Sequence, residues 1–252
     1  MTIEPKIPDQ VIKTLRQARK ITLFTGAGIS VAAGLPTLSG PESNPIWEFN
    51  FIEDLLCVEK AVQRPQLLTR WLDTLLSQTR AAQPTIAHYQ IAALASLFPH
   101  CCVITQNVDD LHERAGSIEV IKLHGTITQA RCQQCHKKSV IETSYRVLLQ
   151  EKCPCGGDWR SDLLLYQEAM QEELWQRAEA AVKNCEAMII VGSSGQVLPG
   201  GLLPAIARRN DAYLVEINIV KTELSPHCHL TIMGKSNTIL PQMVNLIAAL
   251  AE

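Results

Sequence analysis

Ile21-Thr22-Leu23-Phe24-Thr25-Gly26-Ala27-Gly28-Ile29-Ser30 decides the fold. An apolar, strand-like run ends in two glycines one residue apart. In an open α/β sheet, ligands sit outside the carboxyl ends of the strands, where glycine lets a backbone approach phosphates. Ser30 falls where a helix is expected to begin, placed to cap it or to meet an anion. The fingerprint is partial. Gly34 comes later than G-x-G-x-x-G requires, and a strand-Gly-x-Gly turn also arises for structural reasons alone. Gly34-Leu35-Pro36-Thr37 is expected to break the helix early and lead into a mobile loop over a cofactor.

Further short apolar runs without alternation occupy residues 101–105, 120–123, 187–191 and 213–217. Such runs suit strands buried on both faces of a parallel sheet. Helical stretches are expected over 10–19, 87–97, 166–184, 202–209 and 241–250. The alternation implies a doubly wound, Rossmann-like α/β sheet. Two stretches break the rhythm. One reads as helices with Trp47, Phe49, Phe51 and Trp71 as core candidates; the other holds two cysteine pairs. Together they are expected to form a smaller inserted domain of 41–80 and 131–158, a helical module plus a zinc module. The Rossmann-like domain then takes 1–40, 81–130 and 159–252.

The chain has 252 residues, enough for a substantial core, and carries 23 basic against 25 acidic residues. A net charge of −2 gives no basic field for nucleic acid, so no direct nucleic-acid binding is expected. The first residues mix charges with prolines, unlike a secretory leader. No apolar run nears the roughly 20 residues that cross a bilayer. A cytoplasmic protein away from membranes is the expectation.

The other strand ends carry their own chemistry. Gln106-Asn107-Val108-Asp109 follows the second strand and offers two amides and a carboxylate, which suits a carboxamide such as nicotinamide. The bland alternative is that Asn and Asp merely cap the next helix. Leu123-His124-Gly125 closes the third strand. An imidazole there suits a general base toward a ribose hydroxyl, although a lone histidine is more often structural. His88 and His112 fall within expected helices and read as structural. Gly192, Ser193 and Ser194 suit phosphate or ribose contacts, and Asn218 an adenosine ribose.

Cys132-x-x-Cys135 and Cys153-x-Cys155 read as four ligands of a structural, tetrahedral zinc. The second pair is one residue tighter than a usual knuckle; unligated or redox-active thiols are the alternative. Cys57, Cys101, Cys102, Cys185 and Cys228 look like small core residues.

On these residues the chain resembles an atypical member of the sirtuins, NAD-dependent protein-lysine deacylases. Gly26-Ala27-Gly28-Ile29-Ser30 with Gly34-Leu35-Pro36 is similar to the family's cofactor loop, and the run from Gln106 to Gly116 to its second signature. Leu123-His124-Gly125, the cysteine module, Gly192-Ser193-Ser194, Val197 with Pro199, and Glu216-Ile217-Asn218 complete the series. The resemblance implies NAD bound along the strand ends by Gly26, Ala27, Gly28, Ser30, Pro36, Gln106, Asn107, Asp109, Gly192, Ser193, Ser194, Val197 and Asn218. It also implies nicotinamide against Asn107 and Asp109, catalysis by Asn107 and His124, and an acyl-lysine protein substrate. Products would be free lysine, nicotinamide and O-acyl-ADP-ribose.

Two departures stand out. Leu38-Ser39-Gly40 replaces the family's Phe-Arg-Gly. The substrate strand reads Ser161-Asp162-Leu163-Leu164-Leu165-Tyr166-Gln167-Glu168, with Gln167 where the family has glycine. An ADP-ribosyltransferase or NAD glycohydrolase on the same scaffold, or a ligand binder without turnover, are the alternative functions.

Overall fold

The computed structural model describes residues 7–37 and 55–249. Its strands are, in chain order, β1 (Lys20–Thr25), β2 (His100–Thr105), β3 (Val120–Lys122), β4 (Gln129–Cys132), β5 (Lys138–Val140), β6 (Trp159–Ser161), β7 (Ala187–Val191), β8 (Tyr213–Asn218) and β9 (Leu230–Met233). The helices are α1 (Asp9–Gln17), α2 (Val58–Gln63), α3 (Pro65–Ala81), α4 (Ile86–Leu97), α5 (Leu111–Arg114), α6 (Tyr145–Leu148), α7 (Glu172–Asn184), α8 (Leu203–Arg209) and α9 (Ser236–Ala248). Trp47, Phe49, Phe51, Leu38-Ser39-Gly40 and the loop expected over the cofactor lie outside the described residues.

The large sheet has the order β3-β2-β1-β7-β8-β9 and every pairing in it is parallel. All five residues of β7 are buried, which explains why it reads as a continuous apolar run. One apolar cluster joins α1, α4 and α9 to one face, while a second packs α7 and α8 on the other. Trimming a fully buried leucine or isoleucine in these layers to alanine costs about 2–5 kcal/mol.

Strand order reverses between β1 and β7, the place where such sheets open a ligand crevice. There the two strand-end loops touch. The Gly28 N–H donates to the Gly192 carbonyl at 2.9 Å, and a Cβ on Gly26 or Gly28 would lie 2.7–2.8 Å from the backbone of Gly192 or Ser193. The glycine pair therefore serves close packing of one loop on the other, a role that the phosphate argument alone misses.

A second, antiparallel sheet has the order β5-β4-β6. Its buried residues share one core with Leu55, Leu56, Trp71, Leu72, Leu75 and Leu76, so the cysteine module and the helical module form a single smaller unit inserted in the large one. Trp159–Ser161 pairs with β4, which carries this sheet beyond the span 131–158 read from the cysteines.

Several local expectations are corrected. No α-helix starts at Gly28: two 3-10 turns, Ala27–Ile29 and Val31–Ala33, run to a left-handed Gly34, and Ser30, which lies between them, makes no side-chain cap bond to the second. The helix expected over 166–184 starts at Glu172, because the chain from 166 to 168 is held elsewhere: Tyr166 pairs with the segment at Leu56–Val58, and Glu168 is bound to Arg160. The last helix starts at Ser236 and contains Pro241 in its interior. β9 is an additional strand.

Candidate functional site

The carboxyl ends of β1, β2, β7 and β8, with the segment that follows β3, converge on one cavity of about 830 Å³. Gly26, Ala27, Gly28, Ser30, Pro36, Gln106, Asn107, Asp109, His124, Gly192, Ser193, Ser194, Val197 and Asn218 all line it. Every cofactor or catalytic candidate of the sequence reading is thus brought together.

Ser30 is the hinge of the polar wall. It is 2% exposed; its hydroxyl donates to Asp109 Oδ2 at 2.9 Å and accepts from Asn107 Nδ2 at 3.2 Å. Asp109 Oδ1 takes the Leu111 N–H at 3.0 Å, and the Lys122 ammonium bonds the Asp109 carbonyl. Burial pushes the Asp109 carboxyl above its ordinary range, against the pull of these donors. Asn107 is fixed at its other end by its N–H on Thr105 Oγ1, 3.1 Å. Its Oδ1 makes no hydrogen bond among the described residues, so it is available to a ligand donor.

His124 has the geometry of a base. Its Nδ1 lies 2.9 Å from the Gln106 carbonyl, which can only accept, so Nδ1 carries the proton. Nε2 is left with a lone pair and no partner among the described residues. Burial holds the imidazole below its ordinary 6.5, opposed by the Gln106 carbonyl; the ring is neutral at pH 7.

Gln106 turns out to be a tether. Its Nε2 donates to the Val197 carbonyl at 3.1 Å and its Oε1 accepts from Ser193 at 2.9 Å, while its backbone carbonyl orients His124. Both ends of the amide are engaged by the protein. Asn218 is likewise engaged, by the Ser193 carbonyl and the Ile219 N–H.

Behind Ser30 lies a second layer that the sequence reading left as merely helical. His88 bonds the Thr85 N–H through Nδ1 at 3.1 Å and places Nε2 3.4 Å from Ser30. His112 bonds Thr25 through Nε2 at 2.9 Å and stacks edge-on against His88. Burial lowers both rings, to about 4 for His88 and about 3 for His112, the latter also by the facing His88 and Lys122. The apolar wall comes from Leu56, Trp71, Leu75, Leu163, Leu165 and Tyr166. Of these, Trp71 was expected only in the core and Leu56 and Leu75 were not singled out. Gln167 stands at this wall with φ of +70°, a left-handed conformation unusual for a side-chain-bearing residue.

Away from the cavity, the sulfurs of Cys132, Cys135, Cys153 and Cys155 all lie within 4.8 Å of one another, with nearest pairs at 3.5 and 3.6 Å. Four sulfurs about 2.3 Å from a zinc would be about 3.8 Å apart, so the set fits a tetrahedral ion. The tight Cys153-Pro154-Cys155 spacing closes through Gly156 at φ +90°, and a Cβ on Gly157 would strike Cys132 Sγ at 2.8 Å. The backbone N–H groups of Cys135 and Gln134 hold the Cys132 thiol below its ordinary range, as a metal ligand requires.

The fold and this pair of sites define a dinucleotide-binding α/β protein with a four-cysteine metal module. Residues 26–199 match the model of the Sir2 family. The chain is 35% identical over 234 residues to an NAD-dependent protein deacylase 2 of Pyrobaculum aerophilum, covering 93% of each. It is 33% identical to an NAD-dependent protein deacylase of Methylococcus capsulatus over 95% of this chain and 96% of that one. Among solved structures, a Sir2 homologue bound to NAD superposes with a TM-score of 0.91 at 30% identity, covering 99% of this chain and 97% of that one. A Sir2 complex with a p53 peptide and NAD+ superposes with a TM-score of 0.85 at 26% identity, covering 97% of this chain and all of that one. The chain belongs to the Sir2 family, the sirtuins.

Proposed function

We propose that the protein removes acyl groups from lysine side chains of proteins with consumption of NAD. When bound, NAD supplies a ribose carbon that takes the acyl oxygen as nicotinamide leaves. Asn107 and Asp109, locked through Ser30, hold the carboxamide. His124 takes a proton from a ribose hydroxyl on its free Nε2, while its Nδ1–H stays on the Gln106 carbonyl. Gly26, Ala27, Gly28, Ser30, Pro36, Gln106, Gly192, Ser193, Ser194, Val197 and Asn218 form the rest of the cofactor wall. Cys132, Cys135, Cys153 and Cys155 hold a structural zinc that has no open position for chemistry. The observation that carries the reading is a neutral, one-sidedly bonded His124 on the same cavity wall as Asn107 and Asp109.

The division into an NAD-binding domain and a smaller one over 41–80 and 131–158 is part of this reading, with the smaller one widened to take in β4 and β6. No helix among the described residues is long and apolar enough to cross a membrane. A cytoplasmic site and the absence of direct nucleic-acid binding are proposed from composition.

The test is to incubate the protein with NAD and a panel of acyl-lysine peptides, following nicotinamide and deacylated peptide together. Equal release of both, dependent on the acyl group, supports deacylation. Nicotinamide released without acyl peptide would favour ADP-ribosyl transfer or NAD hydrolysis instead.

A further inference from the structure

Residues 163–168 line the cavity on the side of His124 yet lie between β6 and α7, outside any strand or helix. Main-chain bonds fix this segment at two places. The Leu164 N–H donates to the His124 carbonyl at 3.0 Å, which ties the segment to the main chain of the general base. Tyr166 exchanges bonds with the helical module, its N–H on the Leu56 carbonyl at 2.9 Å and its carbonyl on the Val58 N–H at 3.3 Å. A Cβ on Gly125 would lie 1.8 Å from the Asp162 carbonyl, so the segment also presses directly on the residue after His124.

The rest of its shape is set by two side chains. Arg160 donates through Nε to the Ser161 carbonyl at 3.1 Å and through Nη2 to the Leu163 carbonyl at 3.0 Å. The same guanidinium meets both carboxylate oxygens of Glu168, Nη1 on Oε1 and Nη2 on Oε2, the latter at 3.0 Å. Glu168 Oε2 also accepts the Leu165 N–H at 2.8 Å, and the Glu168 N–H closes the turn on the Leu165 carbonyl at 3.1 Å. With side chains only 24% and 19% exposed, this two-pronged pair is stiffer than an ordinary surface pair. Burial raises the Glu168 carboxyl, but the Arg160 and Leu165 donors outweigh it and hold the group below its ordinary range. Arg160 and Glu168 thus do for this segment what a ladder of main-chain bonds does for a strand. The Leu163 N–H and the Leu164 carbonyl keep no hydrogen-bond partner among the described residues. Such groups are what an extended peptide pairs with when it adds as a strand.

We propose that Arg160 and Glu168 are positioning residues for the acyl-lysine peptide, their clasp holding residues 163–165 in the shape that receives the substrate main chain beside His124. Neither side chain needs to touch the substrate. This inference rests on the reading of the protein as a lysine deacylase.

Initial rates of the full chain, with NAD and one acetyl-lysine peptide varied in turn, test it. Glu168→Leu removes both the charge and the acceptor for the Leu165 N–H. It is expected to raise the peptide KM about tenfold while kcat and the KM for NAD stay within about twofold. Glu168→Gln keeps an acceptor oxygen and should raise the peptide KM about threefold, which carries the test alone if the leucine variant does not fold. The exchange Arg160→Glu with Glu168→Arg restores an ion pair but puts a donor where the Leu165 N–H needs an acceptor, so the peptide KM should stay raised. A pair that merely stabilised the fold would be rescued by that exchange, and rescue would overturn the inference. So would a peptide KM unmoved in Glu168→Leu and Glu168→Gln, with the deacylase reading left standing. If the parent protein turned over no acyl-lysine peptide, the deacylase reading itself would fall, and the inference with it.

Discussion

Around Ser30, polar side chains hold one another with no metal: Asn107 and Asp109 meet on one hydroxyl, and His88 stands behind it. At Cys132, Cys135, Cys153 and Cys155, four sulfurs crowd within 4.8 Å at the margin of a small three-stranded sheet. The first cluster sits on strand ends whose core is built from both faces of a six-stranded sheet. The second has strands of only three or four residues, and two of its four cysteines, Cys135 and Cys155, are exposed beyond the shared core, so an ion must hold what packing does not. Precision at the catalytic end comes from hydrogen bonds inside a stiff frame; at the cysteine end it comes from ligation. The two should therefore fail differently.

The largest separation is expected from His124→Ala. Loss of a general base lowers the deacylation rate by about 10³-fold, worth about 4 kcal/mol of barrier. The fold loses only the bond to the Gln106 carbonyl, so the thermal midpoint should fall by no more than a few degrees. Deacylation at the wild-type rate by this variant would refute the assigned role. Because the folded imidazole titrates below 6.5, the wild-type rate should be flat above that pH and decline as pH falls through the folded value.

Removing zinc should do the reverse. A chelator is expected to lower the thermal midpoint by about 10 °C and to make Cys132, Cys135, Cys153 and Cys155 reactive toward a thiol reagent. Cys101, Cys185 and Cys228, pushed by burial up to about 12, 11 and 12, should stay unreactive while the large domain is folded. ADP-ribose binding to the strand ends should survive at temperatures below the new midpoint. A fully folded, metal-free protein with an unchanged midpoint would erase the contrast.

The same contrast explains what could be read in advance. Strand ends and cysteine pairs are local patterns, so the parallel sheet, the polar residues at the strand ends and the metal module were legible in the sequence, whereas Pro36 and Val197 came only with the family resemblance and Leu56 and Leu75 were not singled out. β9 was not, since Leu230-Thr231-Ile232-Met233 is a short edge strand with only Ile232 buried. The start of α9 was hidden by Pro241, which reads as a first helical residue yet sits inside the helix. The Gln106 tether joins residues 87 and 91 positions away through strand adjacency, and no local pattern encodes it. Glu216 belonged to a recognisable motif, but its hold on Thr222, Ser225 and Thr231 exists only once β8 and β9 pair.

A smaller effect separates the layers behind the site. His88 and His112 are buried and neutral, with folded values of about 4 and about 3 against an ordinary 6.5. Below pH 6.5 the unfolded chain takes up protons that the folded one refuses, so their contribution to stability is complete above 6.5 and is lost as pH falls toward 4 and 3. For His88 the loss by pH 5 is about 2 kcal/mol. Asp109, held above its ordinary value, acts in the opposite sense and only below its own raised value. His88→Gln should remove its own share, flattening the fall in midpoint between pH 7 and 5 by about 5 °C. An identical slope in the variant would show that His88 does not titrate between the folded and unfolded states.

The smallest effect concerns the apolar wall, where Gln167 holds φ at +70°. A side chain in this region costs roughly 1–2 kcal/mol, and glycine removes that strain. Glycine also frees the unfolded chain, which takes back about 0.5–1 kcal/mol. The two nearly cancel, so Gln167→Gly should raise the midpoint by about 1–3 °C at most. Gln167→Val, β-branched and worse suited to this conformation, should lower it by more than that. The strain is retained at a residue that lines the cavity beside Tyr166, and on the proposed function, with the acyl-lysine entering along this segment, the side chain of Gln167 would take up space that the family's glycine leaves open. Gln167→Gly should therefore broaden the range of acyl peptides turned over while scarcely touching stability. A variant with the same acyl preference as the parent would show that the strain has no bearing on the substrate.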